Sequence, residues 1–218
     1  MRDLVRTPMV DGDSIRCFSW QRDQRHRPGL QFLVSTGRHH GPECLEEARL
    51  LLALDFAGDL VDVISQPMRL RFNTADKRRS HTPDFLAVTR RGGWLIDVRP
   101  EPLVEEKDLE SFDASAEVAL ACGWHYTVAA RWGDHIYSTP DALSSQRRPL
   151  SDPLGLRPAL LESARKRLTF GDLAASATYE PLARAQLLHL LWHGRLGVDL
   201  TETPADRSVV VAARGVVA

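Results

Sequence analysis

Between residues 45 and 56 the apolar side chains Leu45, Ala48, Leu51, Leu52 and Phe56 recur at the spacing of one helix face. The stretch "GPECLEEARLLLALDFAG" therefore predicts an amphipathic helix. Three segments after it read as strands: "LVDVISQPMRLRF", "TPDFLAVTR" and "GWLIDVRP", with "RRGG" as the turn between the last two. In the first, the period of two sends Arg69 and Arg71 to one face and Leu70 and Phe72 to the other. A second helix is expected from about Lys107 to Cys122, stopped by Gly123, and "WHYTVAA" reads as a closing strand. The order helix, three strands, helix, strand predicts an α/β unit with a mixed sheet flanked by helices. Upstream, residues 1–37 are arginine-rich and poorly periodic, with one short strand expected at "QFLVST".

The pattern changes after residue 138. Residues 139–157 hold prolines 140, 149 and 153, with Pro158 just beyond, which argues for a linker rather than a regular element. From residue 158 to 218 it becomes helical, through "ALLESARKRL", "TFGDLAASA" and "PLARAQLLHLLWHGRL". Thr169 is a plausible N-cap for the middle helix and Pro181 suits the first turn of the third. "GVDLTETPADRSVVVAA" reads as two short strands about a turn, and three small helices before a hairpin is the layout of a winged helix. The expected organisation is a basic segment 1–37, an α/β core 38–138, a linker 139–157 and a small C-terminal domain 158–218.

Composition narrows the class. A content of 43% hydrophobic and 26% charged residues is ordinary for a soluble globular chain. No run approaches the roughly 18 apolar residues of a membrane span, and "MRDLVRTPMVDGDS" lacks a signal-peptide core, so a cytoplasmic protein without membrane attachment is expected. Cys17, Cys44 and Cys122 are isolated, which offers neither a zinc motif nor a disulfide framework. The net charge of −1 does not advertise nucleic-acid binding, but arginine is abundant and clusters locally, as in "RCFSWQRDQRHRPGLQF" and "RLRFNTADKRRSH".

The chemistry concentrates in "HTPDFLAVTRRGGWLIDVRP", residues 81–100, where two short apolar strands each carry one aspartate. A lone carboxylate in an apolar surround is costly, so Asp84 and Asp97 call for solvent or for a cation between them. A tight turn can bring both to one edge, and the first helix can add Glu46. Three convergent carboxylates repel one another unless a hard cation such as magnesium separates them. A metal held this way can activate water and neutralise a phosphodiester.

Pro83-Asp84 followed by an apolar strand, a turn and Asp97-Val98-Arg99 resembles the PD-(D/E)xK nuclease signature. "LEEARLLLALDFAGDLVDVISQP", "HTPDFLAV" and "LIDVRP" together resemble the TnsA-like endonuclease subunit of heteromeric transposases. "LLHLLWHGRLGVDL" is similar to the winged-helix tail of its bacterial members. The stronger match covers about residues 38–132 and a looser one 157–212. The resemblance implies a restriction-endonuclease-like core and a magnesium-dependent (or manganese-dependent) DNA endonuclease. Such a subunit cuts the 5′ strands at transposon ends beside a separate DDE transposase, with an AAA+ ATPase regulator as a further possible partner. Carried over by position, Glu46, Asp84 and Asp97 match the metal-binding carboxylates, and Gln66 matches a glutamine typical of the first strand. Arg99 departs from the family, which has lysine there. Arginine stays protonated, so it can stabilise charge on the phosphate but cannot accept a proton.

Several residues have both a binding and a structural reading. Arg69, Arg71, Lys77, Arg78 and Arg79 can track a DNA backbone or form a solvated face, and His81 can touch phosphate or cap a turn. His39-His40 reads as a basic loop pair, because adjacent histidines diverge. His189 and His193 sit at i, i+4 on a helix whose Leu187, Leu188, Leu190, Leu191 and Trp192 mark it as core; they read as satisfied structural residues. Two alternatives to the transposition nuclease stay open: a defence or repair nuclease of the same fold, and a catalytically weak DNA-binding or scaffold subunit. The C-terminal domain can serve DNA or a protein partner.

Overall fold

A computed structural model describes residues 29–133 and 137–213. Most of the basic segment 1–37, including Cys17, lies outside the described residues. The chain divides into two compact units, 1–131 and 132–218.

The first unit opens with an antiparallel pair, β1 (Gln31–Leu33) and β2 (Arg38–His40). Helix α1 (Leu45–Ala57) follows, its N-terminus capped by the Cys44 sulfur on the Glu47 N–H and its C-terminus closed by Gly58 at φ 75°. The expected long strand "LVDVISQPMRLRF" is instead two strands in different sheets, β3 (Leu60–Ser65) and β4 (Leu70–Asn73). The break has a local cause: Gln66 takes a left-handed φ of 50°, and Pro67 after it has no N–H to offer a ladder. β4 pairs with β5 (Arg78–His81), which sequence periodicity does not mark as a strand.

β6 (Phe85–Thr89) and β7 (Gly92–Val98) form the expected hairpin. Helix α2 (Glu106–Cys122) ends at Gly123, φ 70°, and leads into β8 (His125–Ala129). The sheet order is β3-β6-β7-β8, antiparallel except for the last pair, which is parallel. That one parallel pairing requires a crossover, and α2 supplies it. The result is the expected α/β arrangement, a mixed four-stranded sheet with helices against it.

β6 is central, which explains why "FLAV" is an unbroken apolar run: all four residues are buried. Ile64, Leu86, Leu95 and Ala119 form a core cluster from three strands and α2, with Trp124 and Tyr126 packed against it. Leu95 is fully buried there, so Leu95→Ala is expected to lower stability by about 3 kcal/mol in denaturant titration.

The second unit begins with α3 (Ser138–Ser144), a helix inside the segment expected to be irregular. Pro140 lies in its first turn, where the missing N–H has no intrahelical acceptor to lose. Helices α4 (Leu156–Ala164), α5 (Phe170–Ala175) and α6 (Glu180–Trp192) follow. Thr169 caps α5 through Asp172 N–H (3.1 Å) and Pro181 sits in the first turn of α6, both as the sequence indicates. β9 (Leu196–Gly197) and β10 (Val211–Ala212) pair antiparallel at the end, and Thr169 bridges to Val209. Among the described residues no helix is long and apolar enough to cross a membrane.

Candidate functional site

Asp84 immediately precedes β6 and Asp97 is the next-to-last residue of the neighbouring β7. The Asp84 N–H donates to the Ile96 carbonyl (3.1 Å), and its carboxylate accepts from the Val98 N–H (2.7 Å). Asp84 is thus fixed by backbone across the strand pair. Its carboxyl is pushed up to about 7, chiefly by burial and then by the charges of Glu47 and Asp97, against the opposing pull of the Val98 N–H and His81. Like charges held together out of water resist ionisation.

Asp97 is almost wholly buried, and both its oxygens are engaged. One is hydrogen-bonded to His81 Nε2 at 2.7 Å, the other accepts from the Tyr126 hydroxyl at 2.8 Å. Burial is the largest influence on His81 and pulls it down. The Asp97 hydrogen bond and the charges of Asp97, Asp84 and Asp108 more than offset it, so the imidazole stands above its ordinary value. Burial and the Asp97 carboxylate raise the Tyr126 phenol as well. Hence the expected DNA contact His81 is turned to Asp97.

The structure separates the two neighbouring acids of α1. Glu46 is ion-paired with Arg49, one turn along the same helix. Glu47, one position on, is buried, and its charge is the one from α1 that acts on Asp84. Successive helical residues differ by about 100° around the axis, so one step exchanges the solvent-side carboxylate for the inward one. Glu47 stands in phase with Leu50 and Leu51, both buried. Burial raises the Glu47 carboxyl too, opposed by the Glu43 N–H that donates to it at 2.7 Å.

Gln66 is buried beside Asp84, its N–H donating to the Asp84 carbonyl at 2.7 Å. Its side-chain Oε1 is buried without a hydrogen-bond partner among the described residues. A buried amide oxygen left unpaired costs free energy and marks a place for a donor or a cation.

Arg99 is held by Asp108, Nε to Oδ2 at 3.0 Å, and the same Asp108 oxygen accepts the Glu105 N–H that starts α2. The expected phosphate cation is therefore tied to the helix start. Arg79 is likewise turned to α2, paired with Glu110 and bonded to the Lys107 carbonyl. Arg69, Arg71, Lys77 and Arg78 are exposed on and beside the β4–β5 hairpin. The site residues missed by sequence, Tyr126 and Asp108, carry no motif; only folding brings them to Asp97 and Arg99.

Among the described residues no group of three or more His, Cys, Asp or Glu side chains is arranged to hold a metal ion. The charges of Glu47 and Asp97 both bear on the Asp84 carboxyl, and Gln66 is joined to Asp84 through its backbone N–H. No family model matches the chain, and no curated protein matches it.

Proposed function

We propose that the first unit cleaves phosphodiester bonds with the help of a hard divalent cation near Asp84. The observation that carries this reading is Asp84 itself, buried beside Glu47 and Asp97 with its ionisation opposed by both. Crowded carboxylates call for compensating positive charge, which His81 offers beside Asp97 and a bound cation would offer beside Glu47 and Asp84. Asp84, Glu47 and the orphaned Gln66 oxygen are hard donors of the type magnesium or manganese prefers. They fit such an ion by donor chemistry. Glu46 does not belong to the set, and Asp97 belongs to it through its charge, since its oxygens serve His81 and Tyr126. When bound, the ion would supply Lewis-acid polarisation of the phosphate and a more acidic water.

More particularly, the reading is a TnsA-like DNA endonuclease acting at transposon ends. It is supported by the motifs around Asp84 and Asp97 and by a sheet compatible with a restriction-endonuclease-like core. The partners would be double-stranded DNA, a DDE transposase and an AAA+ ATPase regulator, in the cytoplasm. Helices α4, α5 and α6 followed by a short antiparallel pair are compatible with a winged-helix second unit. Within the site, Val98 N–H and Gln66 N–H hold Asp84 in place, His81 and Tyr126 hold Asp97, and exposed Arg69, Arg71 and Arg78 offer charge to a DNA backbone.

The test is cleavage of end-labelled transposon-end DNA with magnesium or manganese, with and without the transposase. Metal-dependent 5′-strand cuts are expected; intact DNA under every combination would sink the assignment. A second reading, a DNA-binding subunit that does not cut, is favoured by one feature, the Arg99–Asp108 pair that occupies the cation nearest the expected lysine position. Arg99→Lys separates the two. A shorter, deprotonatable cation is expected to raise cutting about tenfold if the native site is attenuated, and to leave a non-cutting site silent.

A further inference from the structure

The second unit carries a concave groove of about 680 Å³ between the start of α4 and the end of α6, and no Asp or Glu lines it among the described residues. Arg157, Arg195, His189 and His193 supply its polar wall, and Pro149 and Leu161 contribute to an apolar floor. We propose that this groove binds the phosphodiester backbone of a nucleic acid.

The arginines give the groove its sign. Arg157 is built into the scaffold, its Nε donating to Gln186 Oε1 at 2.6 Å and its Nη2 to the Leu150 carbonyl. Gln186 is itself buried, and its amide nitrogen donates to the Ser151 carbonyl at 2.7 Å. These acceptors orient the guanidinium but are neutral, and it has no ion pair among the described residues; the Asp152 carboxylate is engaged by the Leu156 and Arg157 backbone N–H groups instead, at 2.9 Å each. Arg195 is exposed on the loop after α6, with its backbone N–H tied to the Leu190 carbonyl at 2.9 Å. It has no ion pair among the described residues. A fixed and an exposed guanidinium over an apolar floor suit a phosphate chain whose sugars carry apolar faces.

The histidines are walls. A carbonyl can only accept, so His189 donates from Nδ1 to Gln146 and His193 from Nε2 to Arg147, at 2.8 and 3.1 Å. Their rings lie 4.3 Å apart. These bonds lock both side chains in position, as the sequence reading of structural histidines requires.

The choice of nucleic acid over an acidic protein segment rests on the DNA-cutting reading of the first unit; the groove's charge and shape do not. The experiment is equilibrium binding of the full chain to a fluorescent duplex of arbitrary sequence. It is done with chelator present, so that no metal at Asp84 contributes, and across a salt series. Arg195→Glu is expected to weaken binding about fivefold or more and to flatten the plot of log K against log salt by about one phosphate's worth, ~0.9. Arg157→Gln should do the same if it folds, and the exposed Arg195 gives the answer if it does not. Unchanged affinity and slope in an Arg195→Glu protein that melts like the parent would overturn the proposal. So would polyglutamate displacing the duplex at equal charge concentration, which would assign the groove to an acidic protein partner. Intact DNA in the cleavage assay alongside groove-dependent binding would remove the nuclease reading and leave this one in place.

Discussion

Asp84→Asn is expected to abolish metal-dependent cutting and at the same time to make the protein more stable at neutral pH. Removing a carboxylate that serves a reaction directly costs on the order of a thousandfold in rate. The stability effect runs the other way because Asp84 is unfavourable as a charge. Its carboxyl ionises near 3.8 when unfolded and is pushed up to about 7 in the fold. Between those values the folded chain holds a proton that the unfolded chain has released. Stability is therefore full below about pH 4 and falls as pH rises through 7. Asparagine cannot ionise and escapes this loss. Allowing for partial exposure and relaxation, the gain at pH 8 is about 2 kcal/mol. Thermal melts at pH 4 and pH 8 check it: the variant should gain only at the higher pH. Magnesium should recover a similar increment for the parent and little for the variant. A variant that loses both cutting and stability at pH 8 would mean that Asp84 is a structural carboxylate satisfied by the Val98 N–H.

The second large effect distinguishes two neighbouring glutamates. Glu47→Gln is expected to reduce cutting about a hundredfold, because it removes the α1 charge that acts on Asp84. It should also bring the Asp84 carboxyl back toward its ordinary value, shifting the pH-dependent loss of stability to lower pH. Glu46→Gln breaks a partly exposed pair with Arg49, within one helical turn. Such pairs contribute a few tenths of a kcal/mol, so its cutting rate and pH profile should stay with the parent. Equal losses in both variants would return Glu46 to the site.

The contrast between these glutamates marks where sequence stops. The element order was legible because burial leaves periodicity: three-and-four spacing in α1 and α2, and an unbroken apolar run in the central β6. Caps were legible because Thr169, Gly123 and Pro181 have few other local uses. The split after Ser65 was not, because a left-handed glutamine has no strong sequence mark, even with Pro67 behind it. Nor was α3, since proline excludes a helix interior but not a first turn.

By itself the sequence determined the succession of α1, the β6–β7 hairpin, α2 and β8 and put Asp84 and Asp97 at the ends of neighbouring strands, for both follow from spacing along one chain. Only the tertiary structure decided what each charge faces: Glu47 rather than Glu46 toward Asp84, Asp108 on Arg99, His81 and Tyr126 on Asp97. The reason is geometric. These partners are separated along the chain and meet through the twist of a sheet and the rotation of a helix, where a single residue's shift turns a side chain to the opposite face of a strand or by about 100° around a helix.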